Sequence, residues 1–286
     1  MERKKQITPL DKYKAYVDSC IEYGIRKISF TPIVGDPFVD KYFFERLEYL
    51  IEKGVHSTSF ITNGIAMTPE KTDRLFLLIP KFRKFGISLS LGGFDSLTYL
   101  KTFGIDRFER VRSNLLYFLE ERTKIPNPSF GITIQMRFAK QYHQSGILYD
   151  ELQPYLDQKV QLVDNVQYYG NWGGKVRKSE LDAIGLKAAS LPRKFRGACD
   201  IMFWGGIVIA ADGTVNACAC HDAEVTLPIG NLNENSLEEI LKGKRRKQLV
   251  GEMMRGDVPQ FCQGCTNYRS IYHPKSFFST QVMKKI

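Results

Sequence analysis

Five of the six cysteines in the 286-residue chain fall in its last third: Cys199, Cys218, Cys220, Cys262 and Cys265. Thiols clustered in this way predict a metal site rather than a disulfide framework where no secretory leader is visible. Cys262 and Cys265 form a C-x-x-C pair, and two intervening residues let one turn aim both sulfurs at a single centre. Asp212-Gly213 is a tight hairpin signal, and the apolar run 207–211 ahead of it reads as a strand. Such a hairpin would carry Cys218 back toward Cys199, and the C-x-x-C pair would close the site. Four thiolates suit a structural zinc ion and suit an iron–sulfur cluster equally. Spacing alone leaves the metal open. A zinc ribbon would carry two C-x-x-C pairs, and this chain has one.

Composition bounds the class of protein around that site. A hydrophobic content of 43% with 25% charged residues is enough for a substantial core, in one large domain or two ordinary ones. No stretch approaches the roughly 20 apolar residues of a membrane span. The first residues, Met-Glu-Arg-Lys-Lys-Gln, lead into no apolar segment, so no signal peptide is predicted and a reducing cytoplasm is the expected compartment. The net charge of +10 raises nucleic acid as a partner. Its densest run, 242–247, has a local explanation. Ser236-x-x-Glu239 is a capping box, and the basic run would follow toward the negative end of the helix it opens. Nucleic acid is therefore not expected.

The elements that must position these residues alternate. A helix is predicted over 8–24, with Thr8 as N-cap and Pro9 at its first position; Cys20 lies on its apolar stripe as a core thiol. A strand follows over 27–34, then a helix over 40–53, a strand over 57–61, and a helix from Pro69 that Pro80 stops. Next come a strand over 86–91, a helix over 107–121, a strand over 130–137, a short helix over 149–156 and a strand over 160–169. This succession predicts a parallel sheet, open or closed into a partial barrel. In either form ligands belong at the carboxyl ends of the strands. Non-helical signals gather there: Gly35-Asp36-Pro37, Thr62-Asn63-Gly64, Gly92-Gly93 and Arg137.

The pattern Cys199, Gly213-x4-Cys218, Gly230-Asn231, Ser236-Leu-Glu-Glu-Ile240 and Cys262-x2-Cys265 resembles the SPASM/Twitch auxiliary domain of radical S-adenosylmethionine (SAM) enzymes. The resemblance implies one auxiliary [4Fe-4S] cluster on Cys199, Cys218, Cys262 and Cys265, with Cys220 a neighbouring thiol. The strand–helix succession is similar to the partial (β/α) barrel of that family, without its first strand. The implied domains are a barrel over 1–175, a linker over 176–195 and a cysteine-rich SPASM/Twitch domain over 196–286. Asn171-Trp172-Gly173-Gly174 resembles a stretch found just before SPASM domains. Where the family carries a Gly-Gly-Glu-Pro-like motif at the SAM amino group, this chain has Val34-Gly35-Asp36-Pro37. By the same resemblance Asn63, Ser90 and Arg137 would line the cofactor pocket, Ser90 facing the ribose and Arg137 the carboxylate.

The family's C-x3-C-x2-C motif, whose open iron takes the cofactor, is absent from the 286 residues. The resemblance therefore implies a strand and a cysteine loop of roughly 15–40 residues ahead of this chain. The complete enzyme would cleave SAM reductively and abstract hydrogen from a peptide or small-molecule substrate, with flavodoxin or ferredoxin as reductant. A non-catalytic iron–sulfur protein, and a zinc-stabilised binding module, are the other readings. The chain as given is expected to be inactive.

Overall fold

The computed structural model describes residues 3–4, 6–30, 35–125, 128–164, 168–192, 196–204, 206–219 and 221–276, with the backbone alone at 203 and 204. In chain order the elements are α1 (Leu10–Glu22), β1 (Lys27–Phe30), α2 (Phe43–Glu52), β2 (Ser57–Thr62), α3 (Pro69–Leu78) and β3 (Lys84–Leu91). They continue with α4 (Ser96–Phe103), α5 (Phe108–Thr123), β4 (Gly131–Met136), α6 (Ile147–Leu152), β5 (Val160–Val163) and α7 (Lys178–Ala183). The last are α8 (Ile201–Trp204), β6 (Val208–Ile209), β7 (Thr214–Asn216), β8 (Pro228–Asn231), α9 (Leu237–Lys242), α10 (Lys244–Arg255) and α11 (Gln260–Gln263).

Two compact units result. Ile25–Tyr169 with Glu180–Lys187 form a sheet unit, and Met1–Gly24, Gly170–Ser179 and Ala188–Ile286 form a cysteine unit. The division differs from the sequence-based one, which gave residues 1–175 to the barrel. In the cysteine unit α1 and the residues ahead of it are held by residues more than 200 positions away. Tyr16 donates to Asn233 Oδ1 (3.1 Å), Leu237 N donates to Ser19 Oγ (3.2 Å), and Arg3 pairs with Asp212 at 2.7 Å. Local periodicity foresees the helix but not its partner.

The sheet unit is a five-stranded parallel sheet in the order β1-β2-β3-β4-β5. Period-two alternation gives it two unlike faces. Phe60, Ile87, Ile132 and Val160 are in register and buried on one. There Phe38, Phe43 and Phe60 meet edge to face, with ring centroids 5.3–5.4 Å apart. The other face carries Ser59, Ser88, Ser90, Thr133 and Gln135, all half-buried. The α/β class and the parallel sheet match the sequence reading.

Several local expectations change. β1 ends at Phe30 and β5 at Val163; residues 31–34 and 165–167, read as strand continuations, lie outside the described residues. α4 was not foreseen, because its exposed Leu97 and Leu100 hide any apolar stripe. Its signals are local: Asp95 Oδ1 accepts from Thr98 N (2.8 Å), and Gly104 closes the helix at φ 70°. The basic run does not continue one helix. Gly243 separates α9 from α10, so only Lys242 lies in a last turn, where it meets Glu238 at 2.6 Å. Lys244–Lys247 begin α10 instead, at its positive end.

Candidate metal centre

The hairpin read from Asp212-Gly213 is present: β6 and β7 pair antiparallel, and β8 adds to β7. Gly213 has φ +84°, and a Cβ there would stand 2.5 Å from Asn233 Nδ2, 2.6 Å from Tyr16 Oη and 2.7 Å from Asn231 Oδ1. The Gly-Asn and helix signals then acquire physical reasons. Asn233 Nδ2 donates to Asp212 O (2.8 Å), and Leu232 N to Gly213 O (2.9 Å), which pins the turn. A Cβ at Gly230 would lie 2.7 Å from Ile240, so the glycine lets α9 pack against β8. The capping box forms in both directions: Glu239 N donates to Ser236 Oγ (3.2 Å) and Ser236 N to Glu239 Oε2 (2.8 Å). Gly213→Ala is expected to cost at least ~1–2 kcal/mol from the left-handed backbone alone. The midpoint of urea unfolding should fall accordingly; an unchanged midpoint would show that the turn relaxes freely.

Cys199, Cys262 and Cys265 are buried, and Cys218 packs beside them in the same core with Val215, Ala217, Ile229 and Tyr268. The structure brings together the four cysteines singled out as ligands, and no described pair forms a disulfide. A bridge between Cys199 and Ser270 and the bond from Ile271 N to Ala198 O (3.0 Å) tie the first thiol to the segment after the last. Burial, mainly, holds the thiols of Cys199, Cys262 and Cys265 above their ordinary values; Coulombic interaction with neighbouring cysteines pushes the same way. For Cys262 those neighbours are Cys199, Cys218 and Cys265. Four thiols gathered in one core fit the donor set of an iron–sulfur cluster. Cys220 lies outside the described residues.

The turn at Asn171-Trp172-Gly173-Gly174 holds the C-x-x-C loop. Asn171 Nδ2 donates to Gly264 O (2.6 Å), Asn171 Oδ1 accepts from Thr266 N (3.1 Å), and Asn171 N donates to Thr266 Oγ1 (2.9 Å). Trp172, Gly173 and Gly174 all have positive φ, and a Cβ at Gly173 would fall 2.1 Å from Phe261, next to Cys262. Asn171 is a site residue that sequence reasoning missed, although its motif was visible. His221, directly after Cys220, is half-buried, its Nε2 lies 2.7 Å from Asn267 Nδ2, and its ring stands edge-on to Trp172 at 5.0 Å. Burial holds its imidazole below the usual value.

The proposed cofactor residues lie in the sheet unit. Asp36 is buried and already engaged: Oδ1 accepts from Phe38 N (3.0 Å), and Oδ2 from Thr62 Oγ1 (2.8 Å) and Asn63 N (2.7 Å). Asn63 Oδ1 accepts from Ile65 N at 2.9 Å. Ser90 is in register with Gln135, to which Arg137 donates through Nη2. Gly35 is exposed at φ +107°. Asp36 and Asn63 thus form one hydrogen-bonded group, and Ser90 and Arg137 are linked to a second through Gln135. Gly92 and Gly93 have a packing reason rather than a ligand: Cβ atoms there would stand 2.7 Å from Phe103 and 2.5 Å from Tyr99 N.

Fold and thiols together define a two-unit α/β protein with four free cysteines gathered in one core. Residues 199–266 match the SPASM family, an iron-sulfur cluster-binding domain. Among solved structures, BtrN in complex with AdoMet and 2-DOIA is similar at TM-score 0.55 and 15% identity, over 93% of this chain and 82% of BtrN. Native anSMEcpe with bound AdoMet and Kp18Cys peptide is similar at TM-score 0.55 and 16% identity, over 99% of this chain and 88% of the other. SuiB of Streptococcus suis bound to S-adenosylmethionine gives TM-score 0.56 and 15% identity, over 88% of this chain and 61% of SuiB. A comparison with curated protein sequences returns no match. Residues 199–266 are therefore similar to a SPASM iron–sulfur cluster-binding domain, and the chain shares the fold of these AdoMet-bound structures. No helix among the described residues is long and apolar enough to cross a membrane.

Proposed function

We propose that this chain is the body of a cytoplasmic radical SAM enzyme that abstracts hydrogen from a peptide or small-molecule substrate. The carrying observation is the joining, in one chain, of a SPASM match over residues 199–266 to a parallel sheet of the fold seen in AdoMet-bound structures. Cys199, Cys218, Cys262 and Cys265 would hold a [4Fe-4S] cluster, which supplies one-electron chemistry when bound. The chain's own residues bury the thiols and fix the C-x-x-C loop through Asn171. SAM would lie at the carboxyl ends of the strands, near Gly35, Asp36, Asn63, Ser90 and Arg137. The reductant would be a flavodoxin or ferredoxin. A non-catalytic iron–sulfur protein is the second reading, favoured by the absence of C-x3-C-x2-C from these 286 residues.

Asp36 serves two purposes in this reading. Three hydrogen bonds use most of its about four acceptor positions, and the remaining one would receive the SAM ammonium. Asp36→Ala is expected to weaken SAM binding roughly ten- to a hundredfold, as a lost charged hydrogen bond of about 1.5–3 kcal/mol implies. Unfolding stability should fall as well, since Phe38 N and Asn63 N lose their acceptor. Calorimetry on an enzyme carrying all its clusters, paired with urea unfolding, separates the two effects. Lower stability with unchanged affinity would make Asp36 a purely structural residue. Cleavage of SAM by the complete enzyme tests the proposed function as a whole.

A further inference from the structure

Asp222 is fully buried, with 0% of its surface exposed, and its two carboxylate oxygens are treated differently. Oδ2 accepts from Thr226 N (2.7 Å), Asn216 Nδ2 (3.0 Å), Thr226 Oγ1 (3.1 Å) and Leu227 N (3.2 Å). All four donors are neutral. They solvate the group as water would, without cancelling its charge. Oδ1 is buried and has no hydrogen-bond partner. A buried acceptor left unpaired is costly and calls for a reason. The reason lies in where the group sits. Asn216 is fully buried too, donates through Nδ2 to Cys218 O (3.1 Å) as well as to Asp222, and accepts from Leu227 N (3.1 Å). One side chain therefore fixes both the Cys218 backbone and the carboxylate. Asp222 is also among the groups whose charge acts on the Cys262 thiol. No Lys or Arg is among its hydrogen-bond partners in the described structure.

We propose that Asp222 is a built-in negative charge beside the four-thiolate centre that lowers its reduction potential. The inference rests on the reading of that centre as a [4Fe-4S] site. One-electron reduction by an external low-potential donor makes the centre one charge more negative, and no proton or bond change is required of Asp222. A fixed anion in a site from which water is excluded opposes that added charge. Asp222 is a positioning and tuning residue, not a metal ligand. Its roles divide by atom: Oδ2 closes the loop between β7 and β8, while Oδ1 leaves the charge uncompensated.

The test is a redox titration of the reconstituted full-length chain, followed by the electron paramagnetic resonance signal of the reduced cluster. Asp222→Asn keeps an acceptor for the four donors and removes the charge. Its midpoint potential should move to a more positive value at unchanged iron content, and Asp222→Glu should stay nearer the parent. Thr226→Val removes one donor and keeps the backbone N–H and the side-chain shape, so its midpoint should move the opposite way. That second variant decides the matter if Asp222→Asn does not fold. A parent chain with no [4Fe-4S] signal would overturn the reading of the centre and this inference with it. A normal parent signal with midpoints unmoved in the folded variants would overturn the inference alone.

Discussion

Replacing any one of Cys199, Cys218, Cys262 or Cys265 by Ala is expected to take the iron content of the anaerobically reconstituted chain from about four per chain to near none. The four side chains share one core, and each is held by a different piece of the cysteine unit. Cys199 is placed by its bridge to Ser270, Cys218 by the hairpin and Asn216, and the last two by α11 and the Asn171 clamp. Because each thiol has its own support, loss of one leaves the others no means of closing the gap. The raised thiols also make the metal-free site unfavourable to ionise, so ligation and folding are coupled. Thermal unfolding of the cysteine unit should therefore move with the iron. Cys220→Ala should keep its iron and its visible absorption. Zinc without iron after anaerobic purification would instead support a structural zinc site. Iron lost from Cys220→Ala but kept in Cys218→Ala would shift the ligand by one hairpin position.

The second large effect concerns catalysis. The 286-residue chain, fully reconstituted and supplied with dithionite and SAM, is expected to form no 5′-deoxyadenosine above a protein-free control. Its six cysteines include no C-x3-C-x2-C, and the four gathered in the cysteine unit all serve as ligands in the proposed centre, which leaves no iron open to the cofactor. Extending the chain at its N-terminus with a segment that carries the three-cysteine motif should restore cleavage. Cleavage by the chain alone would overturn the assignment of four protein ligands. An extended chain that loads a second cluster and still cleaves nothing would favour the non-catalytic iron–sulfur reading.

Short-range rules account for much of what was legible. The capping box at Ser236 and Glu239, the Asp-Gly hairpin, the C-x-x-C turn and the alternation of strands with helices each depend on residues a few positions apart. Each is present in the structure. The same rules misplace the basic run, because one glycine at 243 restarts the helix and reverses which end of a dipole the cations occupy. The parallel order of the five strands follows from connections too long for hairpins.

Tertiary structure alone decided the rest. The family resemblance would place Asp36 at the cofactor amine, but only folding shows it joining the end of β2 to the turn at Phe38. Sequence marks the Asn-Trp-Gly-Gly stretch without explaining it; the explanation is a loop 93 residues away, at Gly264. The first helix is legible, yet its partners Asn233 and Leu237 lie 217 and 218 residues on. The sequence sets His221-Asp222 directly after Cys220, near the proposed chemistry, but does not single out the carboxylate. An aspartate between a cysteine pair and a Gly-Asn motif reads as an ordinary turn residue. Its burial and its unequal oxygens exist only once β7, β8 and the segment at Thr226 have closed around it. Propensity and spacing act over a turn or two of chain, whereas burial is a property of what the rest of the chain brings to a residue.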